Sequence, residues 1–243
     1  MATERLDKIL ANSGYGTRKE VKGLVKSGRI SVNGKTVKDS SIHADPDKDS
    51  IAVDGEQLDY KRYIYIMMNK PQGVISATED DYDRTVIDLL DEKSRSFSPA
   101  PVGRLDKDTE GLLILTNDGE LNHDLISPKK HVPKRYYARI EGEVTSSHVE
   151  NFKEGIVLDD GYKCLPAELT VLASGIQSEI TVVLYEGKFH QVKRMFQSIG
   201  CTVVYLKRLQ MGGLKLDERL RPGEYRELSE KELVLLQERH PRQ

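Results

Sequence analysis

Two carboxylates, Asp106 and Asp108, stand two residues apart in GRLDKDTEG (103–111), with Arg104, Lys107 and Glu110 beside them. The apolar run LLILTNDG (112–119) follows at once, so the acids fall in a loop at the start of a strand. Two readings are open. A solvated turn would use its aspartates to cap backbone N–H groups. A catalytic loop would hold one ionised carboxylate at the mouth of a site, as general base or nucleophile. A hydrolytic dyad is the weaker idea, because no second carboxylate at a defined separation is marked.

Two further segments carry chemistry-bearing residues. In YEGKFHQVKRMFQSIG (185–200), Val192, Met195, Phe196 and Ile199 fall at i, i+3, i+4 and i+7, the inward face of a helix. Lys193 and Arg194 lie at the edge of that stripe, and Lys188 and His190 stand at the helix entrance. A cation placed there can pair with a loop carboxylate and keep it ionised in a partly dry site. His190 alone reads as a hydrogen-bonding structural histidine. In KKHVPKRYYARIEG (129–142), basic residues interleave with Tyr136 and Tyr137. On a strand those two rings point to opposite faces, so one can pack while the other stacks on a base or reaches a reacting group.

The elements that must position these groups follow from periodicity. Tyr63, Tyr65 and Met67 alternate with Ile64, Ile66 and Met68, which suits a strand buried on both sides, and NKPQG (69–73) ends it. GLLILTNDG (111–119), KRYYARIEG (134–142), SEITVVLYEG (178–187) and CTVVYLKRL (201–209) read as strands. VIDLLDE (86–92), SHVENFKEGI (147–156) and HQVKRMFQSIG (190–200) read as helices. This order predicts an α+β domain around a mostly antiparallel mixed sheet with flanking helices.

Residues 1–60 have a different grammar, and the domain border is expected near 59–62. Leu6, Ile9 and Leu10 have helical spacing up to Gly14. Thr17 and Glu20 form a capping-box signature, Val21, Leu24 and Val25 make an inward stripe, and Gly28 stops that helix. Ile30 and Val32 then lead into an Asn33-Gly34 hairpin turn. Nine basic side chains between Arg5 and Lys38 face only two acids, Asp7 and Glu20, before Asp39, Asp45, Asp47, Asp49 and Asp54 restore the balance. The chain's formal charge of −2 therefore conceals a local cationic surface. Such a surface attracts phosphate; a solvated lysine-rich helix face explains the spacing equally well.

Composition bounds the rest. A chain of 243 residues holds one large domain, or a small one beside a larger. Cys164 and Cys201 are far apart without CxxC spacing, so free thiols are expected and a zinc site is not. The opening MATERLDKIL lacks signal-peptide character and no apolar run reaches membrane-spanning length, so a soluble cytoplasmic protein is expected.

RLDKILANSGYGTRKEVKGLVKSGRISVNGKTV (5–37) resembles the small RNA-binding domain first described in a small-subunit ribosomal protein. MNKPQG, GRLDKDTEGLLILTNDG, KRYYARIEG and EGKFHQVKRMFQSIG come in the order found in RNA pseudouridine synthases. They are most similar to the branch that modifies ribosomal RNA and carries that small domain. HQVKRMF and PGEY (222–225) resemble its small-subunit members. The resemblance implies Asp106 as the catalytic carboxylate, Tyr136 as the ring stacked on the target uracil, and Lys193 as the basic residue that pairs with Asp106, with Arg194 the fallback. It leaves Asp108 to the turn. It further implies RNA contacts from Arg104, Lys134, Lys188, Gln191, Arg194 and Arg208 in the catalytic domain (61–243). In the small domain (1–60) the implied contacts are Arg18, Lys19, Lys22, Lys26 and Arg29. Breaking the bond from carbon 1′ to nitrogen 1 and rejoining through carbon 5 needs neither cofactor nor metal. The implied partner is ribosomal RNA or a pre-ribosomal subunit, with no membrane and a monomeric enzyme. Alternatives are a large-subunit rRNA synthase and a non-catalytic RNA-binding assembly factor. A sugar glycosidase would leave the basic N-terminal unit without a purpose.

Overall fold

The computed structural model describes residues 3–46, 48–58 and 60–238. Asp47, in the acidic run, and Asp59, at the expected border, lie outside them. The chain divides into two units, Met1–Ile64 with Leu90–Pro99 and Tyr65–Leu89 with Ala100–Gln243.

In the first unit β1 (Glu4–Arg5) leads into α1 (Leu6–Asn12) and α2 (Arg18–Lys26). The capping box starts α2: the Thr17 hydroxyl oxygen accepts from the Glu20 N–H at 3.4 Å, and the Glu20 carboxylate accepts from the Thr17 N–H at 2.7 Å. β2 (Ile30–Val32) and β3 (Lys35–Thr36) are joined by Asn33 and Gly34, both at positive φ (51° and 74°), as a primed hairpin turn requires. β4 (His43–Ala44) pairs with β1, while β5 (Ile51–Val53) and β6 (Glu56–Gln57) complete a four-stranded sheet with β2 and β3. Leu6, Ile9, Leu10, Val21, Val25, Ile30 and Val53 form the core. α3 (Glu92–Ser96) belongs to this unit and packs beside α1.

The basic residues of this unit divide by partner. Arg18, Lys19, Lys22 and Lys26 are exposed and form no salt bridge among the described residues. Arg5 and Lys8 pair with Asp7 and Glu4. Arg29 is also exposed but is ion-paired with Asp54.

The second unit is built on a nine-stranded sheet. Its elements are β7 (Tyr65–Lys70), β8 (Ala100–Pro101), β9 (Glu110–Thr116), α4 (Gly119–Ile126), β10 (Lys134–Glu141), α5 (Ser146–Glu154) and β11 (Glu168–Ala173). β12 (Gln177–Leu184), α6 (Gln191–Ser198), β13 (Thr202–Met211), β14 (Leu214–Lys215), β15 (Tyr225–Glu227) and α7 (Glu230–Leu236) follow. The main path runs β11-β12-β10-β13-β9-β7-β15, with β8 on β9 and β14 on β13. Every pairing is antiparallel except β13 with β9, where Lys207 and Arg208 oppose Glu110 and Gly111. The expected α+β class with a mostly antiparallel mixed sheet is what forms.

The expected helix over 86–92 does not form. A 3₁₀ turn covers Ile87–Leu89, and α3 starts only at Glu92. Asp88 accepts from the Thr85 N–H and Asp91 from the Ser94 N–H, each at 2.7 Å. Carboxylates used locally in this way break a helix into capped pieces. No helix among the described residues is long and apolar enough to cross a membrane. Cys164 and Cys201 are free and buried.

Candidate active site

The loop 103–109 is clamped by its backbone. Lys70, fully buried at the end of β7, donates from Nζ to the carbonyls of Pro71, Asp106 and Thr109, each at 3.0 Å. Burial pushes this ammonium down to about 8, against the pull of the Asp106, Asp108 and Glu110 carboxylates. The Ser76 hydroxyl donates to the Leu105 carbonyl at 2.9 Å and accepts from the Leu105 N–H at 3.0 Å. The Thr109 N–H closes the turn on the Asp106 carbonyl at 3.0 Å. The Asp106 backbone is thus anchored on both sides while its side chain is left for other partners.

Those partners come from α6 and its entrance. Val192, Met195 and Phe196 are buried as the stripe predicts, with Phe196 packed on Phe152 of α5, ring centroids 5.1 Å apart. This seating puts Lys193 Nζ 3.1 Å from Asp106 Oδ2 and 2.6 Å from Asp108 Oδ1. Partial burial opposes the Lys193 charge, but its two carboxylate partners outweigh that, and the ammonium sits above the usual lysine value. Burial likewise works against the Asp108 charge and is outweighed by the Lys193 hydrogen bond, so Asp108 falls below the usual carboxylate value. His190, left-handed at φ 48°, brings Nε2 to 3.5 Å from Asp106 Oδ1.

Tyr136 completes the site from β10. It is buried and lines a cavity of about 90 Å³ with Arg104, Asp106, Lys188, His190 and Lys193. Its hydroxyl makes no hydrogen bond among the described residues. Tyr137 takes the opposite face, donates to Glu179 at 2.8 Å and meets Tyr205 edge-on. A cation-paired carboxylate that shares a cavity with an aromatic ring can move a proton or attack an electrophilic carbon.

Arg104, Asp106, Tyr136, Lys188 and Lys193, expected from the sequence to act together, meet in this cavity. Others do not stand as expected. Lys134 is buried and donates to the Val132 carbonyl at 3.0 Å. Arg208 is 2 % exposed, and its Nε donates to the Leu112 carbonyl at 2.7 Å. Neither is a surface phosphate contact. Gln191 lines the cavity, but its amide is used internally, donating to Glu186 and accepting from the Lys188 N–H, both at 2.8 Å. Arg194, the fallback partner for Asp106, is bound to Asp159 and Asp160 instead. Asp108 does more than shape the turn, since it shares Lys193 with Asp106. His190 and Lys70 were not expected beside Asp106, and no periodic signal marks a contact across such separations.

Lys134 gives a measurable consequence. Burial first, and the Arg208 guanidinium second, push its ammonium down to about 8 from an ordinary 10.5. Between those values the unfolded chain binds more protons than the folded one, so this group's contribution to stability rises with pH. Wild type is expected to gain about 2 kcal/mol over Lys134→Met between about pH 7 and pH 10, read by urea denaturation at both values. Tyrosines such as Tyr205, pushed up to about 12 by burial and by the hydrogen bond to Glu110, are common to both proteins and cancel. A constant difference across the range would show that folded Lys134 titrates normally.

Comparison with known proteins fits this geometry. Residues 64–198 match the RNA pseudouridylate synthase family model, and residues 4–49 match the S4 domain model. The chain is 53% identical to the uncharacterized RNA pseudouridine synthase YtzG of Bacillus subtilis, covering 96% of this chain and 98% of that one. It is 38% identical to ribosomal small subunit pseudouridine synthase A of Vibrio cholerae (95% and 98% covered). Identity is 36% to ribosomal large subunit pseudouridine synthase B of Bacillus subtilis (96% and 95% covered). A crystal structure of a pseudouridylate synthase superposes with a TM-score of 0.68 at 34% identity, covering 96% of this chain and 99% of the other. Two matched models and relatives aligned over nearly their whole length lead to one conclusion: the chain belongs to the RNA pseudouridine synthases, which are isomerases, and carries an N-terminal S4 domain.

Proposed function

We propose that this chain isomerises a specific uridine in small-subunit ribosomal RNA, as a monomer in the cytoplasm, with residues 1–60 binding RNA and residues 61–243 carrying the reaction. The observation that carries the reading is the Lys193–Asp106 pair, 3.1 Å apart in the same cavity as Tyr136. Asp106 supplies the ionised carboxylate that acts on the ribose, by attack at carbon 1′ or by removal of the 2′ proton. Lys193 pairs with that carboxylate and orients it. Tyr136 stacks on the uracil while it turns to present carbon 5, and its unbonded hydroxyl assists loss of the carbon 5 proton. The target base leaves its stack at a cost of a few kcal/mol, offset by stacking in the cavity and by phosphate contacts from Arg104 and Lys188.

The substrate assignment rests on the small-subunit relative and on the HQVKRMF and PGEY segments. Incubation with unmodified small-subunit rRNA, large-subunit rRNA and an assembling small subunit, followed by mapping of new pseudouridines, tests it. Product in the small-subunit RNA is expected. Product confined to the large-subunit RNA would transfer the assignment to the activity named for the Bacillus subtilis relative. No product in any of the three would remove the rRNA reading.

The exposed cations of α2 make a separate prediction. Replacing Arg18, Lys19, Lys22 and Lys26 together by alanine is expected to weaken RNA binding and to reduce the slope of log K against log salt by roughly 3, about 0.7 per lost single-strand phosphate contact. Binding titrations over a salt series read this directly. An unchanged slope would make the α2 face a solvated surface only.

A further inference from the structure

The entrance to α6 carries a group that the proposed chemistry leaves unused. Phe189 is 68% exposed, yet its ring stacks on His190, with centroids 3.8 Å and planes 20° apart. His190 in turn reaches Asp106 and lines the cavity. The left-handed backbone of His190 is one that non-glycine residues adopt rarely, and such conformations collect at functional sites. The aromatic pair therefore stands at the mouth of the site, backed by a residue touching the carboxylate.

The surroundings select the occupant. Arg104 and Lys188 are exposed, line the same cavity and have no carboxylate partner among the described residues. The Lys188 ammonium lies 4.4 Å from the centre of the Tyr162 ring. The apolar side chains of the cavity, Leu184 and Val192, are buried, so Phe189, stacked on the cavity residue His190, is a single open ring rather than part of an apolar patch. A lipid or an apolar protein surface calls for contiguous apolar area. An open aromatic face beside a cavity lined by cations free of carboxylates is how single-stranded nucleic acid is held: the ring takes a base and the cations take phosphate.

We propose that Phe189, supported by His190, is a stacking shelf for an RNA nucleobase next to the uridine that enters the cavity. The inference rests on the reading that this cavity receives a uridine of RNA. A base left without its neighbour when the target is extruded regains a stacking partner on Phe189, which offsets part of the unstacking cost.

The chain contains no tryptophan, so Phe189→Trp places a sole indole emitter at the shelf. A single-stranded oligoribonucleotide of mixed base sequence is expected to quench that emission. An abasic strand of the same length and inorganic polyphosphate, bound through charge alone, are expected not to. Phe189→Ala is expected to lower affinity for the oligoribonucleotide by roughly 5- to 150-fold, the range found when one base-stacking ring is truncated, and Phe189→Trp to retain it. Equal quenching by polyphosphate, RNA binding without quenching, or wild-type affinity in Phe189→Ala would each overturn the shelf. Failure of the functional reading looks different: wild type would form no pseudouridine in any rRNA while the tryptophan emission still reported whether a base stacks. A wild type that forms product, with Phe189→Ala matching it in rate and affinity, would remove the shelf alone.

Discussion

Asp106→Asn is expected to lower single-turnover pseudouridine formation by at least about 10³-fold, the scale of a positioned acid–base group or nucleophile. RNA affinity should stay within about tenfold, or about 1.4 kcal/mol. The separation of the two effects comes from how the loop is held. Lys70 and the Thr109 N–H grip the Asp106 backbone carbonyl, and Ser76 grips Leu105, so no anchor of the loop depends on the carboxylate. Lys193 keeps Asp108 at 2.6 Å when Asp106 turns neutral, so its charge is not left stranded. Asparagine fills nearly the same space and removes the negative charge alone. Rapid-quench assays on the rRNA that wild type modifies, paired with filter binding, measure both quantities. Retention of a tenth of wild-type rate would take Asp106 out of the chemistry.

What the sequence made legible depended on how far apart the interacting residues lie. The Thr17–Glu20 box, the Asn33–Gly34 turn and the Val192, Met195, Phe196 stripe are local rules, and each appears in the structure as its spacing demands. The site is not local. Lys193 and Asp108 are 85 residues apart, and nothing in either segment's periodicity requires them to meet. The order of motifs, not spacing, pointed to Lys193 and Asp106 together. The RNA contacts that the resemblance implies for Lys134 and Arg208 do not fit their burial, which is unusual for lysine and arginine. The period-2 rule carried the better answer: a strand that turns Tyr136 inward turns Lys134 inward too, and β10 alternates in that way from end to end. His190 had no comparable signal. Its left-handed backbone turns it towards Asp106, and a single non-glycine residue gives no pattern from which that conformation can be read.

Gly111→Ala is expected to be the most destabilising small change in the stretch that also holds Asp106, costing at least about 4 kcal/mol. Gly111 sits in β9 at φ +104°, between Lys70 of β7 and Arg208 of β13. An added Cβ would lie 2.2 Å from the Arg208 carbonyl oxygen and 2.8 Å from its nitrogen. Both are backbone atoms of the parallel β9–β13 seam, so no rotamer change relieves the overlap and one strand has to move. Gly161 separates the two sources of cost. It has φ +81° with nothing within 4 Å of the added carbon, so Gly161→Ala meets the backbone penalty alone, about 1–2 kcal/mol. Urea midpoints of the two variants decide the matter. If Gly111→Ala is no worse than Gly161→Ala, the seam yields easily and the close approach has no structural weight. If the difference appears, Gly111→Ala loses activity through its fold and Asp106→Asn through its chemistry; the stability of Asp106→Asn, expected to match wild type, tells the two failures apart.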